Sequence, residues 1–340
     1  MLMSSPLEIQ NSLPLSLELK SEIETYRNEI RSIIAKPEAR FALIVGPCSL
    51  HDIDSTIEYA KKIATLQHLV EKNCLLIMRA HIEKPRTGQG WKGLLYDPLL
   101  DASNDMALGL TLGRHIFLEI AKLHVPIATE FLDPIASLYF SDLVSWGFIG
   151  ARTSSSQTHR QLASLLPMPI GFKNTTDGNL ENAIQGALFA QHSHTFLHLN
   201  EKGQISAVKS PGNNASHIVL RGSNKQPNYE ASKVKAALDL SSHYSLDKKV
   251  LIDCAHGNSR KNPFHQKIVC KSILDQHSSG NKQIMGMMVE SHLESGSQSF
   301  SSLINPSISI TDPCLGWSLT EELILSINHE LSNNASYSLV

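Results

Sequence analysis

Eight short runs of apolar, largely β-branched residues recur along the chain with longer amphipathic stretches between them. That alternation constrains the fold more than any other feature. The runs are ALIVGPC (42–48), CLLIMRA (74–80), IATEFL (127–132), FIGAR (148–152), PIGFKN (169–174), HIVLRG (217–222), VLIDCAH (250–256) and IMGMMVE (284–290). A strand that is apolar at every position, not every second one, has both faces buried, which is the signature of a parallel sheet covered on each side. Eight such units, separated by helical segments such as STIEYAKKIATLQHLV (55–70), fit a (β/α)8 barrel better than an open sheet. TFLHLN (195–200) and QISAVKS (204–210) flank Glu201–Gly203 and predict an inserted β-hairpin before the sixth barrel strand. Upstream, LELKSEIETYRNEIRSIIAK carries isoleucines at helical spacing. The expected organisation is an N-terminal arm and helix over 1–40 and a single α/β barrel domain over 41–340.

Length does not separate one large barrel from two ordinary domains, but the absence of a Pro/Gly/Ser-rich linker favours one. With 30 Lys and Arg against 32 Asp and Glu, no bulk charge points to nucleic acid or an anionic membrane, so any basic site must be local. The five cysteines are odd in number and show no CxxC spacing, which fits a reduced, cytoplasmic setting. The start of the chain lacks a signal-peptide pattern, and no apolar stretch approaches membrane-spanning length.

Almost every apolar run closes on a residue with chemistry: Cys48, Arg79, Glu130, Arg152, Lys173, Arg221, His256 and Glu290. One charged residue after a strand is ordinarily a solvated loop residue. Eight at the same end of successive strands would converge on the mouth where barrel active sites form. Arg79, Lys84, Arg86, Arg152, Lys173 and Arg221 make a local cationic cluster, suited to phosphate and carboxylate oxygens. Six cations imply a substrate load of several negative charges. Cys48, His256, Glu290 and Asp312 form a mixed S/N/O set, which suits a divalent transition metal better than magnesium or calcium. Their separation in sequence leaves a buried Cys48 and a structural His256 as the other reading.

The motifs themselves resemble the type I 3-deoxy-D-arabino-heptulosonate 7-phosphate (DAHP) synthases, in the short microbial form regulated by aromatic amino acids. The matching blocks include GPCSLHD (46–52), MRAHIEKPRTGQGWKGLLYDP (78–98), SWGFIGARTSSSQTHRQLAS (145–164), GFKNTTDG (171–178), IDCAHGNSRK (252–261), VESHLESGSQS (289–299) and SITDPCLGW (309–317). The resemblance implies a transferase that condenses phosphoenolpyruvate with erythrose 4-phosphate, the first step of the shikimate pathway. It implies one divalent transition metal (manganese, iron, cobalt or zinc) on Cys48, His256, Glu290 and Asp312. Arg79, Glu130, Ala151, Arg152, Lys173 and Arg221 would hold phosphoenolpyruvate, and Lys84, Arg86 and Thr87 would take erythrose 4-phosphate. Lys84 is the expected acid for the new hydroxyl, with Glu130, Lys173 or His256 helping to position water. The resemblance also implies a homodimer or homotetramer.

Some positions depart from the pattern. Ser155 stands where a glutamate is common, His81 where a tyrosine is, and Ala255 and Arg260 are unusual. The family's inhibitor site would map to Ser137, Leu138, Pro167, Phe196 and His198, where changed residues leave the identity of an aromatic inhibitor open. Two other functions fit parts of the pattern: a Schiff-base aldolase with Lys173 as nucleophile, and a weakly catalytic paralogue serving as a regulatory partner. The intact metal set and cationic cluster argue against the second.

Overall fold

The computed structural model describes residues 2–35, 40–299 and 304–337. Residues 36–39, where the sequence sets the boundary between arm and barrel, lie outside the described residues. The strands are β1 (Phe41–Gly46), β2 (Cys74–Arg79), β3 (Ile127–Glu130), β4 (Trp146–Ile149) and β5 (Ile170–Lys173). They continue with β6 (Thr195–Leu199), β7 (Ile205–Lys209), β8 (His217–Leu220), β9 (Val250–Asp253) and β10 (Ile284–Glu290). Eight of them close a parallel barrel in the order β1-β10-β9-β8-β5-β4-β3-β2, while β6 and β7 pair antiparallel as a separate hairpin. All eight barrel strands are buried at every position, as their unbroken apolar runs require.

The helices are α1 (Pro6–Ser12), α2 (Leu17–Ala35), α3 (Ile53–Val70), α4 (Met106–Lys122), α5 (Ser137–Phe140) and α6 (Gln157–Leu165). After these come α7 (Glu181–Ala190), α8 (Ala231–His243), α9 (His256–Ser259), α10 (His265–Ser278) and α11 (Trp317–Tyr337). Their starts carry the expected chemistry: Ser5 and Glu8 form a capping box on α1, and Asp52 caps α3.

Two cores result. The larger lies between strands and outer helices. The smaller is the barrel interior, where Ala42, Ile44, Leu75, Ile77, Trp146, Phe148, Val219 and Leu251 meet Ile30, Ile33 and Ile34 of α2. The N-terminal helix thus plugs the barrel floor. Arg27 holds it there, donating to the carbonyls of Val144 (3.0 Å) and Ser141 (2.7 Å). Gly171 makes room inside, since a Cβ there would stand 2.7 Å from the Trp146 indole. The fourth strand begins two residues before the FIGAR run and ends at Ile149, so Arg152 belongs to the turn that follows.

Candidate functional site

Closure of the barrel does what sequence spacing could not. Gly46 pairs with Glu290 and Met288 with Asp253, so the ends of the first, seventh and eighth barrel strands lie side by side. One ligand atom each from Cys48, Glu290 and Asp312 then falls within 4.8 Å of the other two. His256 stands at the edge of this group, its Nε2 3.7 Å from Glu290 Oε1 and its Nδ1 2.9 Å from Asp253 Oδ2. The Nδ1 contact is close enough for Coulomb attraction but lacks hydrogen-bond alignment. Cys48 is fully buried, and burial together with the Glu290 charge pushes its thiol up. A thiol, two carboxylates and a neighbouring imidazole fit a borderline divalent transition metal.

Above this group opens a cavity of about 590 Å³. Arg79, Lys84, Arg86, Thr87, Glu130, Ala151, Arg152, Lys173, Arg221, His256 and Asp312 all line it. Every substrate residue expected from the sequence therefore faces one space, with Cys48 and Glu290 beside it. Its floor is a charge lattice. Arg79 donates to Glu290 Oε1 at 2.6 Å with both side chains buried. Lys84 Nζ donates to the Cys48 carbonyl (2.9 Å) and lies 3.1 Å from Cys48 Sγ. Nearer the rim, Arg152 Nε donates to Thr87 Oγ1 at 3.1 Å.

Asp253, whose role the sequence did not reveal, anchors the floor. Its Oδ2 accepts from Lys173 Nζ at 2.7 Å and faces His256, with no exposure of its own. Burial opposes its ionisation, but the His256 and Lys173 charges outweigh it and hold the carboxyl well below the usual range. Burial lowers Lys173, with Asp253 pulling the other way. An ammonium held against a carboxylate and over the Phe148 ring (4.2 Å) is placed as a cation, not as a free amine nucleophile.

Other residues without a prior assignment line or shape the cavity. His81 is buried with neither ring nitrogen bonded, and burial plus Arg79, Lys84 and Lys173 keep it well below its ordinary range, hence neutral. Glu83, buried and accepting from the Asp133 N–H (3.2 Å), is raised well above the carboxylate range by burial and by Asp133 and Glu130. Lys261 lines the rim and pairs with Asp312 at 2.9 Å. The only sequence signals for these were the motifs they sit in.

The expected regulatory residues lie on α5, on the loop after α6 and on the hairpin. The Ser137 hydroxyl donates to Pro134 O (2.6 Å), and the Leu138 carbonyl accepts from Gln10 of α1 (2.9 Å). Leu7 N–H in turn donates to Glu201 O at the hairpin tip (2.8 Å), so α1 bridges α5 and the hairpin. Phe196 and His198 share one hairpin face, ring centroids 6.0 Å apart. Pro167 lines a pocket with Arg31 of α2, Leu166 and Asn213, and the end of α6 just before it meets the hairpin root through Ser164 and Ser210, whose hydroxyls are 2.7 Å apart.

The geometry agrees with the kinship of the chain. A family model described as DAHP synthetase I family matches residues 17–324. A tyrosine-sensitive phospho-2-dehydro-3-deoxyheptonate aldolase of Escherichia coli (strain K12) is 40% identical over 331 residues, covering 96% of this chain and 93% of that one. A tryptophan-sensitive one of Enterobacter agglomerans is 41% identical over 323 residues, covering 94% and 92%. The solved phospho-2-dehydro-3-deoxyheptonate aldolase of Francisella tularensis SCHU S4 superposes with a TM-score of 0.95 at 36% identity, covering 98% of this chain and 97% of that one. The chain belongs to the DAHP synthetase I family.

Proposed function

We propose that the protein is a 3-deoxy-7-phosphoheptulonate synthase. It joins phosphoenolpyruvate, erythrose 4-phosphate and water to give DAHP and phosphate at the head of the shikimate pathway. The observation that carries this reading is a single cavity holding Arg79, Lys84, Arg86, Arg152, Lys173 and Arg221 beside the Cys48–Glu290–Asp312 group. Two phosphorylated substrates, one also a carboxylate, match that charge.

Cys48, Glu290, Asp312 and the adjacent His256 would hold a divalent manganese, iron, cobalt or zinc ion. Such an ion supplies Lewis acidity at the aldehyde oxygen. The protein's own groups do the rest. Arg152, Arg221 and the Ala151 backbone grip the phosphate of phosphoenolpyruvate, and Arg79 and Lys173 hold its carboxylate end. Arg86 and Thr87 take the second phosphate at the rim. C3 of phosphoenolpyruvate bonds to the aldehyde carbon, and Lys84 gives its proton to the aldehyde oxygen. Water, oriented by Glu130, adds at C2 and loses a proton to that carboxylate. The C2–O bond to phosphate then breaks, and the C2 hydroxyl releases its proton to become the ketone. Fixing two anions in one register contributes on the order of 7–11 kcal/mol to such a condensation.

The names of the relatives, which refer to tyrosine and tryptophan sensitivity, support control by an aromatic amino acid, seated at the α1–α5–hairpin flank. Five buried free cysteines support a reducing, cytoplasmic setting, and the assembly is proposed to be a homodimer or homotetramer.

The test is phosphate release from phosphoenolpyruvate by chelator-treated protein, with and without erythrose 4-phosphate and manganese. Release that requires both is expected. Folded protein that releases none with any of the four metals would refute the assignment.

A further inference from the structure

Each acidic member of the metal group is in contact with a cation of the protein. Arg79 sits on Glu290 at 2.6 Å, Lys84 Nζ is 3.1 Å from Cys48 Sγ, and Lys261 Nζ is 2.9 Å from Asp312 Oδ1. The first two cations are buried and carry further bonds: Arg79 donates to Pro47 O (3.1 Å) and Lys84 to Cys48 O (2.9 Å). Both are also assigned above to substrate. Lys261 is different. Its side chain is 59% exposed against 31% for Asp312, so it can leave the carboxylate for water at little desolvation cost.

The backbone places it deliberately. Lys261 and Arg260 have φ of 60° and 52°, and His256, at the start of the same turn, has 54°. Left-handed backbone is unfavourable for non-glycine residues and persists where the surroundings fix it. Here the Lys261 N–H donates to His256 O at 2.9 Å, so the residue that lies against Asp312 hangs from the residue that flanks the metal group.

We propose that Lys261 is the displaceable counter-ion of the metal site. It neutralises Asp312 in the metal-free protein and must give up that carboxylate when a divalent ion binds. The proposal rests on the metal-dependent reading given above, and it assigns Lys261 a positioning role on Asp312 with no part in the chemistry. A cation that competes with the metal weakens metal binding, so removing it should tighten binding. An exposed ion pair of this kind carries weight equivalent to about a two- to fivefold change in a binding constant.

The experiment is calorimetric titration of metal-stripped, full-length protein with manganese chloride, comparing wild type, Lys261→Met and Lys261→Arg. Lys261→Met should bind manganese about two- to fivefold tighter, and Lys261→Arg within twofold of wild type. In an Asp312→Asn background, Lys261→Met should change nothing. Equal or weaker binding by Lys261→Met would overturn the counter-ion role, because a merely structural lysine loses affinity when replaced. A gain of the same size in the Asp312→Asn background would also overturn it, since the effect would not pass through Asp312. Wild-type protein that takes up neither manganese nor iron, cobalt or zinc would bring down the metal reading itself, an outcome distinct from the other two.

Discussion

Replacing Asp253 with asparagine should damage stability and turnover together, and the size of the first effect follows from the geometry. The carboxylate is wholly inaccessible and receives the Lys173 ammonium at 2.7 Å, itself only 5% exposed. Asparagine keeps the shape but leaves Lys173 as an uncompensated charge in the barrel interior. Breaking a buried pair from one side costs about 3–5 kcal/mol. With an unfolding entropy of about 2.1 cal/mol/K per residue over 340 residues, that corresponds to a fall of about 4–7 °C in Tm. Differential scanning calorimetry at pH 7.5 measures it, alongside circular dichroism to verify the fold. The same variant frees Lys173 to shed its proton and loosens His256, so kcat should fall at least tenfold by phosphate release. A variant with unchanged Tm and unchanged kcat would refute the claim that Asp253 anchors the floor of the site.

Three further predictions test separate parts of the molecule. In Gly150→Ala the new Cβ would lie 2.0 Å from Glu130 Oε1, so kcat should drop roughly 10- to 100-fold with Tm nearly unchanged, and equal turnover would show that Glu130 need not occupy that position. Arg221→Lys keeps the charge but loses the fork, so KM for phosphoenolpyruvate should rise about tenfold while that for erythrose 4-phosphate stays within twofold; steady-state kinetics decides. His217 is buried with its Nδ1 toward Ala215 O and its Nε2 accepting from Trp146 Nε1 (3.3 Å), and burial lowers it to about 4. The unfolded chain therefore takes up this proton first, so stability is lost as pH falls from about 6.5 toward 4. His217→Asn should flatten that part of the Tm–pH curve, and an unaltered curve would count against a neutral His217.

The barrel was legible because each strand, buried on both faces, writes itself as an unbroken apolar run, and the hairpin because its two strands alternate around Glu201–Gly203. Arg79, Glu130, Lys173 and Arg221 could be picked out as cavity residues because each ends or directly follows a barrel strand, whereas Lys84, Arg86 and Thr87 were marked only by their motif. Three things were not legible. Asp253 looks like any strand-ending acid until closure brings it to Lys173, 80 positions away. Lys261 gave no sign because only the left-handed turn after His256 aims it at Asp312. The helix over 17–35 reads as an amphipathic arm, and no periodicity tells that Ile30, Ile33 and Ile34 point up into a barrel that starts at Phe41. The regulatory residues rest on likeness alone, because no charge or periodicity marks them in the sequence.

The isoleucine plug also governs traffic. With the far end of the barrel stoppered by α2 and its bore filled with side chains, the described residues leave the cavity open at the opposite mouth. Under the proposed function, phosphoenolpyruvate, erythrose 4-phosphate, inorganic phosphate and the seven-carbon sugar acid all pass through that mouth. A vessel that fills and empties through the same mouth cannot load and unload at once, so the turnover cycle must alternate between filling and emptying.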